Sequence, residues 1–65
     1  MNRPDWKVAP KWAKWVAQDA SGEWWWHSTR PILDDDFEWF GSKRFRLAMS
    51  TENHDLFRDS LEARP

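Results

Sequence analysis

Between residues 10 and 20 the large apolar side chains fall at Trp12, Trp15 and Val16, with Ala13 beside them and Lys11, Lys14 and Gln18 turned away. That i, i+3, i+4 spacing makes one stripe on a helix. Pro10 suits the first helical position, where its missing N–H would have had no partner. The pattern predicts a helix over 10–20 that stops at Ser21-Gly22. The next segment, residues 23–29, has no helical stripe and three consecutive tryptophans, and it predicts a strand. Alternation sets Trp24, Trp26 and Ser28 on one face and Glu23, Trp25, His27 and Thr29 on the other. The first face is the natural seat for the Trp12 and Trp15 stripe. The polar company of Trp25 suits an outer surface.

Residues 30–36 read as a loop, opened by Pro31 and closed by three aspartates that disfavour a strand. The following stretch reads as a hairpin around Gly41-Ser42, with strands over 36–40 and 44–49. Two registers compete there. A two-residue Gly-Ser turn pairs Phe40 with Lys43 and Trp39 with Arg44. A three-residue loop sets Trp39 opposite Phe45 and Phe37 opposite Leu47, leaving Phe40 with Arg44 and Glu38 with Arg46. Glycine placement favours the first, and clean separation of apolar from charged faces favours the second, which is preferred. In the tail, Leu56, Phe57 and Leu61 are spaced for about two helical turns with Asn53 as N-cap, predicting a short helix over 54–63. Residues 1–8 form an arm that Trp6 or Val8 pins down. The expected fold is a single α+β domain over residues 1–65, an N-terminal helix packed on a three-stranded antiparallel sheet with a short C-terminal helix. Trp12, Trp15, Trp24, Trp26 and Trp39 are assigned to its core.

Sixty-five residues lie near the lower limit for a domain that folds without staples. The chain has no cysteine, which excludes disulfides and thiolate metal sites. No apolar run approaches the roughly 18 residues that span a bilayer, and the first residues lack the hydrophobic stretch of a signal peptide, so a cytoplasmic location is expected. Ten Lys and Arg balance 11 Asp and Glu. A dedicated nucleic-acid binder would be basic and a whole-body mimic of DNA strongly acidic, and neither bias is present. Seven Trp and four Phe dominate the apolar content. A chain this small must bury most of those rings, within itself or at an interface.

Candidate chemistry is sparse. Asp34, Asp35 and Asp36 could offer oxygen ligands, but adjacent carboxylates alternate in direction and no calcium-loop spacing follows, so a solvated acidic loop is expected. His27 and His54 lack the further ligands of a metal site and the nucleophile and base of a catalytic dyad. The serines occupy no nucleophile elbow, and there is no glycine-rich phosphate loop. No enzyme, metal or cofactor is expected. A tryptophan platform could stack a sugar, with only Glu23, His27 and Glu38 to hold hydroxyls. Arg30, Lys43, Arg44 and Arg46 beside aromatic residues have the chemistry of single-stranded nucleic-acid binding, set against arginine stems that simply cover rings. Protein recognition uses the same residue types, because tryptophan and arginine dominate interface energetics. The expected contact patch is Trp25, Phe40, Arg44 and Arg46, with Asp34, Asp35 and Asp36 steering association.

The run Pro10 to Trp26, together with Phe57 to Pro65, resembles a class of short, largely uncharacterised accessory proteins of tailed bacteriophages and prophages. In that class a Pro-x-Trp-Ala-x-Trp helix enters an Ala-Gln-Asp-x-x-Gly turn and a Trp-rich strand, and the chain ends near Ser-Leu-x-x-Arg-Pro. The resemblance implies a non-enzymatic protein of the host cytoplasm that binds and blocks a host protein, a defence factor above all. The matching residues are those assigned to the core, so a shared scaffold would not carry a shared target. Single-stranded nucleic-acid binding through the aromatic and basic face is the alternative, and self-association through the same rings the second.

Overall fold

The computed structural model describes residues 3–34, 38–52 and 57–65. Its regular elements are short strands: β1 (Trp15–Gln18), β2 (Glu23–His27), β3 (Ile32–Leu33), β4 (Trp39–Phe40), β5 (Phe45–Ser50) and β6 (Glu62–Ala63). Four of them form an antiparallel sheet in the order β5-β2-β1-β6, and β3 pairs with β4 in a second, two-stranded sheet. Among the described residues the helical pieces are two 3-10 turns, Trp6–Val8 and Phe57–Asp59. The α+β arrangement, with its N-terminal helix on a three-stranded sheet and its C-terminal helix, is therefore corrected to a small two-sheet β fold. No helix of the described residues is long and apolar enough to cross a membrane.

The segment expected to be a helix over 10–20 divides into a turn and a strand. Ala13 N–H donates to the Pro10 carbonyl (3.0 Å), closing one turn, and the chain then extends into β1. Isolated helices below about 12–15 residues are marginal, and here the competing strand pairs on both edges, with β2 and with β6. Gln18 shows what the strand gains. Its N–H donates to Ser60 Oγ (2.7 Å) and its side-chain amide to Thr51 Oγ1 (2.8 Å), partners 42 and 33 residues away. Gly22 does adopt the left-handed conformation, at φ +95. Its N–H donates to the Asp19 carbonyl while Asp19 N–H donates to the Glu23 carbonyl, so this glycine closes a hairpin loop between β1 and β2.

Neither register considered for the Gly41-Ser42 hairpin occurs. β4 pairs with β3, Ile32 opposite Phe40 and Leu33 opposite Trp39, whereas β5 pairs with β2. The segment expected to be a loop thus supplies a strand, and beyond the β3-β4 pairing Asp34 N–H donates to the Glu38 carbonyl (3.0 Å). Long-range bonds hold β4 away from β5: Trp39 N–H donates to Asp19 Oδ1 (2.9 Å) and the Trp39 indole to the Phe57 carbonyl (3.2 Å). Gly41, at φ +95, turns the chain from one sheet toward the other. The helix expected over 54–63 is replaced, within the described residues, by the turn at Phe57–Asp59 and by β6. Residues 53–56, with the proposed Asn53 cap and Leu56, lie outside them. Arg64 fastens the tail as an edge strand, its N–H donating to the Lys14 carbonyl and its guanidinium to the carbonyls of Pro10 and Ala13, each at 2.8 Å.

The core lies on the sheet face that carries Val16 opposite Trp26 and Gln18 opposite Trp24. Ala13, Val16, Trp24 and Trp26 are buried there, with Trp6, Ala9 and Trp12 packed against them. Asp5 caps the 3-10 turn that presents Trp6. The Trp6 ring sits 5.0 Å from that of Trp26, and its indole donates to Glu62 Oε1 (2.7 Å). Trp6 pins the arm, and Val8 is exposed. Trp15, placed with Trp12 by the helical stripe, pairs with His27 and so points to the other face.

Candidate functional site

The second face of the four-stranded sheet carries Trp15, Ala17, Trp25 and His27, continued on β5 by Leu47 and Phe45, which stand opposite Trp25 and His27. Its β1 half is covered, and Ala17 is fully buried. The β5 half, at the edge of the sheet, is open: Phe45 is 61% exposed and Leu47 46%. Between this half and the small β3-β4 sheet lies a cavity of about 280 Å³.

Four rings frame the cavity: Trp25, Trp39, Phe40 and Phe45. Trp25 and Phe45 meet edge to face, with centroids 5.9 Å apart. Three carboxylates stand among them, Asp19 from the β1-β2 turn, Glu23 from the start of β2 and Glu38 from the loop before β4. Burial raises the pKa of Asp19 above the usual carboxylate value. The bond from Trp39 N–H opposes that shift, and the negative charges of Glu38, Glu23 and Asp34 add to it.

His27 and Ser42 complete the polar wall. His27 is 3% exposed, and burial lowers its pKa to about 4, so the imidazole is neutral at pH 7. Its Nδ1 lies 2.8 Å from Ser42 Oγ, which in turn lies 3.3 Å from the Arg44 carbonyl. With the hydroxyl proton given to that carbonyl, Ser42 accepts from Nδ1–H and Nε2 keeps a lone pair. Both His27 Nε2 and the indole Nε1 of Trp25 are buried and have no hydrogen-bond partner among the described residues. The His27–Ser42 distance is that of a base and a nucleophile, but an imidazole of such low basicity is poorly matched to proton abstraction near neutrality. Among the described residues, no three side chains of the His, Asp and Glu type converge as metal ligands.

The structure divides the contact patch expected from the sequence. Trp25 and Phe40 come together in the cavity. Arg44 and Arg46 do not join them. Their guanidinium groups lie over the Trp12 ring, at 4.6 and 5.7 Å, and Arg46 stands opposite Trp26 on the core face. Asp34 adds to the negative charge acting on Asp19 and accepts from Glu38 N–H (3.1 Å). Asp35 and Asp36 lie outside the described residues, as does His54. Arg30 covers Trp15, with its guanidinium carbon 5.3 Å from the ring centroid.

Sequence reasoning missed Asp19, Ser42, the outward exposure of Phe45 and the burial of His27. Phe45 and Leu47 alternate with Arg44 and Arg46, a visible signal that the preferred hairpin register turned inward. Asp19 and Ser42 sit in connecting segments and acquire their places only through contacts distant in sequence. Comparison with protein-family models, with curated proteins and with solved structures finds no match for the chain.

Proposed function

We infer that this chain is a non-enzymatic protein-binding module that engages one host protein through the open face around the cavity and acts as a stoichiometric inhibitor. The observation that carries this reading is the apolar surface of Phe40, Phe45 and Leu47, left exposed beside a ring-lined cavity, whereas the other rings among the described residues are wholly or partly buried. Exposed apolar patches with a polar rim mark interaction sites. Aromatic anchors in a pocket are where binding energy concentrates. β5, the outer strand of the four-stranded sheet, adds a strand edge with no partner among the described residues to the same surface.

The resemblance to phage and prophage accessory proteins supplies the setting, the cytoplasm of a bacterial host with a defence factor as target. Single-stranded nucleic acid remains the alternative, but it is less favoured, because stacking rings and phosphate-tracking cations need a common surface. Here Arg44 and Arg46 are engaged on the far face, and the open rings are edged by carboxylates.

Capture from bacterial lysate tests the reading. Tagged wild-type protein should retain a partner at equal stoichiometry, and Phe40→Ser/Phe45→Ser should lose it while keeping the wild-type near-UV circular dichroism. Equal capture by a folded variant would place the interface elsewhere. Steeply salt-dependent quenching of tryptophan emission by single-stranded oligonucleotides would favour the alternative.

A further inference from the structure

All six arginines of the chain lie over aromatic rings: Arg3 over Trp24, Arg30 over Trp15, Arg44 and Arg46 over Trp12, Arg58 over Phe57 and Arg64 over Trp6, at 4.6 to 5.7 Å. Of the described rings, those without a guanidinium over them are Trp26, against which Trp6 packs, and the four of the cavity. Among the described residues no guanidinium covers Trp25, Trp39, Phe40 or Phe45, although these four are gathered with three carboxylates, Asp19, Glu23 and Glu38, none of which is in a salt bridge. A second observation is independent of the charges. His27, more than nine-tenths buried in the same wall, has an Nε2 with no hydrogen-bond partner among the described residues, and the Trp25 indole N–H likewise has none among them.

We propose that the cavity between β2, β4 and β5 is a receptor for one arginine side chain of the partner protein, its guanidinium held between the rings and the carboxylates. A planar, weakly hydrated cation stacks on rings at lower desolvation cost than an ammonium and offers five donors in a fixed fork. Glu23 and Glu38 accept from that fork, and His27 Nε2 is an acceptor for a further N–H. The Trp25 indole N–H is left for a main-chain carbonyl beside the inserted arginine. Burial keeps His27 uncharged, so it does not repel the cation. The proposal rests on the protein-binding reading and specifies what the open face selects.

The probe is a blocked Gly-Arg-Gly tripeptide added to the ¹⁵N-labelled full chain, with the citrulline tripeptide as its uncharged isostere. The indole N–H cross-peaks, assigned by single Trp→Phe variants, report position. Arginine should shift Trp25 and Trp39 saturably with a dissociation constant on the order of 1 mM. Citrulline should bind at least about tenfold more weakly, and Glu38→Gln or Glu23→Gln, both at the accessible rim, should each weaken arginine by about fivefold. Equal binding of citrulline, shifts confined to Trp6, Trp12 and Trp24, or no shift at peptide concentrations about twentyfold above that constant would overturn the assignment. So would shifts that grow with protein concentration alone, which would make a second copy the occupant. If the tripeptide fails but lysate capture still depends on Phe40 and Phe45, the guanidinium assignment alone falls. If both fail, the protein-binding reading falls with it.

Discussion

Trp26 and Trp25 leave β2 in opposite directions, and the faces they enter are finished by different means. On the Trp26 side, residues 3–13 fold back over the sheet, Trp6 packs at a tilt against Trp26, and guanidinium groups lie over Trp24, Trp12 and Trp6. On the Trp25 side, Phe45 and Leu47 of the β5 half stay exposed, and the rings there border a cavity among carboxylates. A chain too small for a deep core can still close a sheet face with one short arm and a layer of arginine stems. Where that layer is missing, the face stays open.

Trp26→Ala should have the largest effect on this contrast. Truncating a fully buried ring costs about 3–5 kcal/mol, a large share of the total for a domain of this size. Urea denaturation followed by tryptophan emission should show the cooperative transition lost or shifted to very low urea. A near wild-type midpoint would mean that the arm-covered face is not the core.

Acid comes next. The folded pKa of His27, about 4, lies below its unfolded value of 6.5. Between those pH values the unfolded chain binds a proton that the folded chain refuses, so stability is full above 6.5 and falls as pH drops toward 4, by about 3 kcal/mol. Asp19 acts with the opposite sign. Its raised pKa means that ionisation costs the folded state stability as pH rises above the ordinary carboxylate value. Unfolding midpoints from pH 4 to 7 should therefore rise with pH, and Asp19→Asn, which keeps an oxygen for Trp39 N–H, should raise the midpoint at pH 7. A flat wild-type profile would remove the buried, neutral His27 from the cavity wall.

Ser60→Ala should cost about 1–3 kcal/mol, because it leaves the buried N–H of Gln18 without an acceptor. Hydrogen exchange at Arg64 N–H should speed up as β6 loosens from β1. The smallest effects belong to the open face: Phe40→Ser and Phe45→Ser should each change stability by about 0.5 kcal/mol or less. A loss as large as that of Trp26→Ala would show that these rings serve the fold.

The alternation in β2 was legible, and it correctly separated Trp24 and Trp26 from Trp25. Gly22 was legible as a left-handed residue, but that conformation ends helices and closes hairpins alike, so it could not choose between them. The Trp12, Trp15, Val16 spacing fitted a helix because a turn followed by a strand can mimic it over five residues. What decided the matter, Ser60 bonding Gln18 and Arg64 bonding Lys14, lies far along the chain. The same holds for the candidate site. Trp25 and Phe40 carried local signals of exposure and were found together. Arg44 and Arg46 were assigned to the opposite side of the sheet by the pairing of β5 with β2, which no local pattern encodes.

The division between faces is tested most directly by one paired capture experiment. Phe40→Ser/Phe45→Ser and Arg44→Ala/Arg46→Ala are compared for retention of the same lysate partner, alongside their urea midpoints. The phenylalanine pair should lose the partner at nearly unchanged stability, and the arginine pair should keep the partner while losing some stability as Trp12 is uncovered. Loss of the partner only in the arginine pair, at unchanged midpoint, would contradict the account and move the binding surface to the Trp12 side.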